Sequence, residues 1–242
     1  MPLTQAVRCL RRNPIIAFVP MLLDLGILAL SVAWSGWYLT SQWSYRIVLE
    51  MGLPSIMHLY NLPFTWAQLL LIAVWSFAQG GYIKALATAC EGGIADPDQM
   101  ARSSLVFWVP FLGLNIAVLL AKAAVSSLLI MLFGSIGAGA SLLAFAALRI
   151  VFIYLEFTIV ADRLHFDAAL RRSAHYFKRN WPSALAMALL LVAASGAASL
   201  AANRFAAPAA VLLIIVLYSV MMSLLQTALM LTLYEAKRWS EG

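Results

Sequence analysis

Six stretches of this chain stay apolar for more than twenty residues each, at about 15–39, 64–88, 104–131, 138–161, 182–202 and 208–234. A helix rises ~1.5 Å per residue, so each stretch is long enough to cross the ~30 Å hydrocarbon layer of a bilayer. The rest of the composition offers no alternative. Of 242 residues, 64% are hydrophobic and 11% charged, against about 45–50% apolar and about 25% charged in soluble domains. A β-barrel is excluded because its strands alternate apolar and polar residues over ~10-residue segments. The expectation is an all-α polytopic membrane protein, one transmembrane domain over 1–242. Six transmembrane helices are arranged in three hairpins, and the glycine-rich run GSIGAGAS (134–141) turns the third span into the fourth.

The basic residues set an orientation. Arg8, Arg11, Arg12, Lys84, Arg102, Arg163, Arg171, Arg172, Lys178, Arg179, Lys237 and Arg238 flank the spans on one side; Arg46 and Arg204 lie on the other. Positive residues are retained on the cytoplasmic face, so both termini are expected there. The net charge of +6 therefore reports topology, and no nucleic-acid partner is expected. Residues 1–33 have the basic start and apolar core of a signal peptide, but the apolar part is long enough to span and is read as the first transmembrane helix. Cys9 and Cys90 both fall near cytoplasmic ends, where reduced thiols are expected.

Three segments repeat one pattern: LRRNPIIAFVPML (10–22), ARSSLVFWVPFLG (101–113) and YFKRNWPSALAMA (176–188). Each places basic or polar residues, then proline, before a long apolar run. Shared interfaces between such repeats often hold sites in membrane proteins. The loop 41–63, with Trp43, Tyr45, Met51, Leu53, Ile56, Met57 and Tyr60, is amphipathic and expected to lie on the outer interface. A lid over an outward cavity is its functional alternative. Residues 162–180 read as an amphipathic helical elbow, with Phe166, Leu170, Ala174 and Phe177 on its apolar line. Its Arg171, Arg172, Lys178 and Arg179 are the expected contacts to anionic lipid headgroups or to a protein partner.

Asp24, Lys122, Arg149 and Glu156 are ionisable residues inside the apolar runs. Charge at that depth needs a partner, a polar cavity or a route to the interface. Asp24 lies ten positions after Pro14, ~15 Å into the layer, and Arg149 falls at a similar depth in the fourth span. The two are natural partners, and Asp24, Asn115, Arg149, Glu156 and Tyr218 are expected to form one polar pocket or a buried ion-pair network. Gln79, Ser219 and Gln226 lie nearby in sequence depth. Lys122, near the outer end of its span, is expected to snorkel. Pro20 and Pro110 stand inside spans and can kink them; Gln79-Gly80-Gly81 can loosen a helix or let it pack closely. Ala194, Ala198 and Ala202, and likewise Ala193, Ala197 and Ala201, stack along the fifth span and favour a central place in the bundle.

There is no Walker A loop, HExxH or GxSxG, so no enzymatic activity and no cofactor are expected. His165 between Asp162 and Asp167 is too sparse a donor set to imply a metal. Two segments, LRRNPIIAFVPML and FTIVADRLHFDAALRRSAHYFKRNW, resemble a group of bacterial and archaeal six-helix membrane proteins. The group includes the membrane domain fused to some glycerophosphodiester phosphodiesterases. Asp162, Ala169, Leu170, Arg171, Arg172, Ser173 and Trp181 carry the resemblance; the glycine that usually follows the acid is missing, the chain running on through Leu164-His165. The resemblance implies a non-catalytic protein of a prokaryotic cytoplasmic membrane. The functional expectation is a transport-type component that binds or passes a small or amphiphilic solute. The alternative is a scaffold or accessory subunit that meets a membrane-protein partner or a second copy of itself.

Overall fold

The computed structural model describes residues 2–35, 43–44, 49, 52–59, 66–205 and 207–241. Residues 36–39 of the first span, and Tyr45, Arg46, Met51 and Tyr60 of the loop, lie outside the described residues. The described chain is helical: α1 (Pro2–Arg12), α2 (Ile15–Ser35), a 3-10 turn (Ile56–Leu59), α3 (Trp66–Cys90), α4 (Pro97–Val151), α5 (Leu155–Ala161), α6 (Phe166–Arg179), α7 (Trp181–Arg204) and α8 (Pro208–Glu241). Five helical segments among these residues are long and apolar enough to cross a membrane.

One of the five, 97–161, is 65 residues long, roughly three times the ~20 that a crossing requires. It does not run straight. Gly134 has φ 60° and ψ −132°, a positive-φ backbone conformation that is essentially restricted to glycine and costs other residues about 1–3 kcal/mol. The Ser126 and Ser141 hydroxyls lie 3.1 Å apart, whereas fifteen residues of unbroken helix would separate them by ~22 Å. The chain therefore folds back at Gly134, within the run the sequence marks as a turn. Close contact of the two arms also depends on Gly137, where a Cβ would sit 1.9 Å from the Leu129 carbonyl oxygen. Pro20 and Pro110 do not break their helices; the non-helical backbone inside α4 is at Gly134.

α8 forms the axis. It buries one face against α1, α2 and α7 and touches α3 and α6. Ser223 receives the Tyr82 hydroxyl of α3 and donates to the Ile16 carbonyl of α2, both at 3.2 Å. At 34 residues α8 is ~51 Å long, so it outreaches a hydrocarbon layer and leaves a polar end. The amphipathic helices α1 and α6 pack there. Asn13 bridges to the α3–α4 connection, accepting from the Ala95 N–H (2.7 Å) and donating to the Gly93 carbonyl (3.3 Å). Asn180 donates to the Thr232 carbonyl (3.2 Å), and Lys237 pairs with Asp162 (2.7 Å). These bonds gather the four basic segments of the sequence at one end of the bundle.

α1 is a helix in its own right, which the sequence pattern presents only as a basic flank. The stretch α1–Asn13–Pro14–α2 and the stretch α6–Asn180–Trp181–Pro182–α7 share a design: amphipathic helix, bridging Asn, Pro, long apolar helix. The third segment of the proposed repeat, 101–113, lies inside the unbroken first part of α4 instead. On α7 the Ala194, Ala198 and Ala202 stripe is buried against its neighbours, whereas Ala193 and Ala197 face outward. Gly81 has no room for a Cβ, which would lie 2.5 Å from the Met100 carbonyl oxygen, so the Gly80-Gly81 pair serves close packing of α3 on α4.

Gly137→Ala should lower the thermal unfolding midpoint of the detergent-purified protein sharply, because the arms must separate. Gly139→Ala, with open space around its Cβ position, should be neutral or stabilising by up to ~1 kcal/mol. Equal effects of the two substitutions would contradict the close approach of the arms.

Candidate functional site

The five residues expected to form one pocket lie in separate clusters. Asp24 is fully buried on α2, and its partner is not Arg149. The Ser55 hydroxyl donates to its Oδ1 at 2.5 Å and the Ile56 N–H to its Oδ2 at 2.9 Å. Ser55 in turn accepts from the Met57 N–H at 3.2 Å. The segment 52–59 therefore does not lie on an outer interface. It enters the bundle between α2 and α8, burying Leu53, Ile56, Met57 and Leu59. The physical reason is Asp24 itself: a carboxylate in apolar surroundings needs donors, and this turn brings two. The segment is anchored from both sides. The Ser44 N–H donates to the Leu59 carbonyl (3.0 Å), and Ser199 of α7 to the Ser44 carbonyl (3.1 Å). The His58 ring stacks at 4.2 Å, tilted, on Trp75 of α3.

Arg149 pairs with Glu156, as their seven-residue spacing allows, and donates through Nε to the Leu49 carbonyl at 3.2 Å. The ion pair spans a weak point, because the helix breaks at 152–154 between α4 and α5. The Arg149 side chain is 31% exposed while the Glu156 side chain is 4% exposed, and the Glu156 Oε2 has no hydrogen-bond partner among the described residues. Asn115 belongs to a third cluster, donating to Ser76 (2.8 Å) and Gln79 (3.2 Å) across the α3–α4 contact. Lys122 sits on the exposed surface of α4, within electrostatic reach of Arg149.

Tyr218 belongs with Asp24: it is buried on α8 in the electrostatic neighbourhood of that carboxylate. Its hydroxyl has no hydrogen-bond partner among the described residues. The same is true of the Ser219 hydroxyl and of both amide atoms of Gln226, two residues that are fully buried. Ser219 and Gln226 are seven positions apart, so they share one face of α8 across about 10 Å. Buried polar atoms are nearly always paired, and each unpaired one costs about 1–3 kcal/mol. The sequence shows these residues but not that they lack partners, because helical neighbours across the bundle leave no pattern in the chain.

The elbow helix α6 is amphipathic as expected, but its buried line is Ala169, Ser173 and Tyr176, one position away from the Phe166, Leu170, Ala174 and Phe177 line. Small residues let it approach closely, and the Tyr176 hydroxyl reaches Asp162 at 3.2 Å. Burial raises the Tyr176 phenol above its usual range, an effect that Arg172 partly offsets. Three of the four cations expected to meet lipid or a partner have partners within the chain. Arg171 pairs with Asp167 (2.7 Å), Arg172 donates to the Tyr176 hydroxyl (2.9 Å), and Arg179 donates to the Trp239 carbonyl. Lys178 is exposed. A cavity of about 890 Å3 opens at the same end, between the first turns of α4 and the α5–α6 corner. Lys84, Arg102 and Arg163, which the sequence shows only as orientation charges, line it.

No group of three or more His, Cys, Asp or Glu residues arranged for a metal ion occurs among the described residues. No family model, curated protein or solved structure matches the chain.

Asp24→Ala should strand the Ser55 hydroxyl and the Ile56 N–H, costing about 1–3 kcal/mol for each, and should accelerate amide exchange across 52–59. Asp24→Asn, which keeps an acceptor and a donor in place, should leave that exchange much closer to the parent. Identical exchange in Asp24→Ala and parent protein would show that the acid does not hold the segment.

The ion pair is asymmetric, and its variants should be too. Arg149→Gln leaves the buried Glu156 without its counter-charge and should destabilise by up to about 3 kcal/mol. Glu156→Gln removes the buried acid itself, and the guanidinium keeps its bond to the Leu49 carbonyl, so its loss should be smaller. The unfolding midpoints of the two purified variants check the order.

Proposed function

We propose that this chain is an integral membrane component of transport type, binding or passing a small or amphiphilic solute through a polar strip between its helices. In this reading it crosses a prokaryotic cytoplasmic membrane six times in three hairpins, with both termini inside, and carries out no chemistry of its own. Matched charges on α2 and α4 do not support it, since Asp24 and Arg149 have other partners. The observation that carries the reading is the unpartnered line of Tyr218, Ser219 and Gln226 on the buried face of α8. Polar groups retained there without protein partners fit a path in which water or a solute supplies the missing hydrogen bonds. Asp24 and the inserted segment 52–59 adjoin the same stretch of α8. The segment then acts as a plug whose withdrawal opens the strip.

The proposed kinship with six-helix membrane proteins gains one physical point. Arg163, directly after Asp162, has φ 50°, the left-handed backbone that the group's glycine would adopt without strain.

A second reading, an accessory subunit of a larger membrane assembly, is favoured by a different observation. From 116 to 148 the folded-back arms of α4 are exposed or half-exposed at every position but Gly137 and Ser141, where the arms meet each other. An apolar element that projects from the bundle on all sides offers surface to partner helices as readily as to lipid. Mild-detergent purification followed by native mass measurement should then return a stoichiometric partner protein.

Access to the strip tests the first reading. In a Cys9→Ala, Cys90→Ala background, Ser219→Cys should react with a small membrane-impermeant thiosulfonate at least about tenfold faster than Leu213→Cys, which is on the outward face. Failure of Ser219→Cys to react, in a protein that folds, would show a sealed core and leave the accessory reading standing.

A further inference from the structure

The groove between α4 and the α5–α6 corner combines two chemistries in an ordered way. At its mouth are Lys84, Arg102 and Arg163, from three different helices or their ends. None of the three has an acidic partner among the described residues, and no Asp or Glu lines the groove. Deeper along α4 the wall becomes apolar through Phe107, Pro110 and Leu114, faced by Ile159 and Val160 of α5. From Arg102 to Leu114 a helix rises ~18 Å, about the ~15 Å depth of one leaflet. α6 begins at the mouth, and its N-cap residue, His165, makes no side-chain capping bond. The acid of that first turn, Asp167, is exposed and paired with Arg171, and the first-turn amides take no side-chain cap. Arg163 is kept at the mouth in a left-handed backbone, although glycine would fit there without strain.

Cations without counter-charges, continuous with an apolar wall one leaflet deep, complement a molecule that is anionic at one end and hydrocarbon at the other. We infer that this groove is a binding site for one anionic phospholipid. Its phosphate meets Lys84, Arg102, Arg163 and the start of α6, and an acyl chain lies along Phe107, Pro110 and Leu114. The site differs from the α6 surface, whose arginines are bonded within the chain. It rests on the membrane-spanning reading but not on a solute path along α8, so thiol access to Ser219→Cys and lipid binding can fail independently.

The full chain, purified in detergent, is titrated with phosphatidylglycerol, with phosphatidylcholine of the same acyl chains, and with glycerol phosphate, and bound molecules are counted by native mass spectrometry. The parent should hold one phosphatidylglycerol at least about tenfold more tightly than phosphatidylcholine, and glycerol phosphate should not compete. Each cation removed should weaken phosphatidylglycerol about fivefold. Arg163→Gly is the decisive variant: it should bind less tightly while its unfolding midpoint stays equal or rises, since the strained backbone is relieved. Adding Lys84→Gln and Arg102→Gln should bring phosphatidylglycerol down to the phosphatidylcholine level. Val106→Trp, which fills the groove from an exposed position, should weaken both lipids. Arg204→Gln, at the far end of α7, should change nothing. The proposal is overturned if the parent does not prefer phosphatidylglycerol, or if the preference survives Arg163→Gly together with Lys84→Gln and Arg102→Gln. It is equally overturned if Val106→Trp has no effect, or if glycerol phosphate displaces the lipid, which would make this a site for soluble phosphate.

Discussion

A carboxyl group that must be satisfied far from water organises the interior of this protein. Asp24 sits at a depth where an unsatisfied acid is costly, and it takes its hydrogen bonds from Ser55 and the Ile56 N–H. That choice pulls a turn of chain into the bundle. Once inside, the turn must itself be satisfied, and its neighbours do this. Ser55 accepts from Met57, while Ser44 and Ser199 tie the segment to α7. Four apolar residues of the segment are buried as a consequence. A cation on a facing helix would have answered the same need with a static link between two helices.

Polar chemistry at the opposite end works differently. α8 outruns the hydrocarbon, and the excess length carries Lys237 and the backbone groups that α6 and Asn180 engage. Bonds among exposed ions are individually weak, but here they fix the position of an amphipathic helix that also buries Ala169, Ser173 and Tyr176. Of the arginines on α6, Arg179 is thereby structural, bound to the Trp239 carbonyl of α8, whereas Arg171 and Arg172 bond to Asp167 and Tyr176 within α6 itself. Counting basic residues at this end reveals orientation, yet it does not separate those that hold the fold from those left for a ligand.

Much of the fold was legible because its signals are local. Apolar length marks each long helix, and the glycines at 134 and 137 mark where α4 doubles back. The small-residue stripe of α7 pointed to a central place, but α8 is the axis and α7 packs chiefly on it; nor did the stripe tell which of its two alanine lines faces inward. Membership of Arg149 and Glu156 in one network was legible, although Asp24 was the partner expected for Arg149. Asp24's partners were not: a serine and a main-chain N–H carry no pattern that distinguishes them from any other loop atoms. For the same reason the aromatic and aliphatic content of 41–63 fits an interfacial loop as well as an inserted one. α1 escaped notice because eleven residues with five polar side chains read as a flank until α8 provides something to pack on. The one-position shift of the buried line on α6 follows from Tyr176, whose hydroxyl lets an aromatic side chain turn inward toward Asp162.

Two regions leave polar groups without protein partners among the described residues, and they do so in opposite ways. Along α8 the orphan groups are neutral: a phenol, a hydroxyl and an amide, all shielded from water. At the α4–α5–α6 groove they are cationic and open. Neutral donors and acceptors suit a guest that must leave as easily as it enters, because no ion pair has to be broken. Fixed cations beside an apolar wall suit a guest that stays, since headgroup and chain are held together and neither can be released alone. The two regions also differ in what they cost when empty. Open cations are hydrated and nearly free, whereas an enclosed amide such as Gln226 is a standing penalty. The α8 strip is therefore the part of the structure that most needs an occupant, and water is the minimum that would satisfy it.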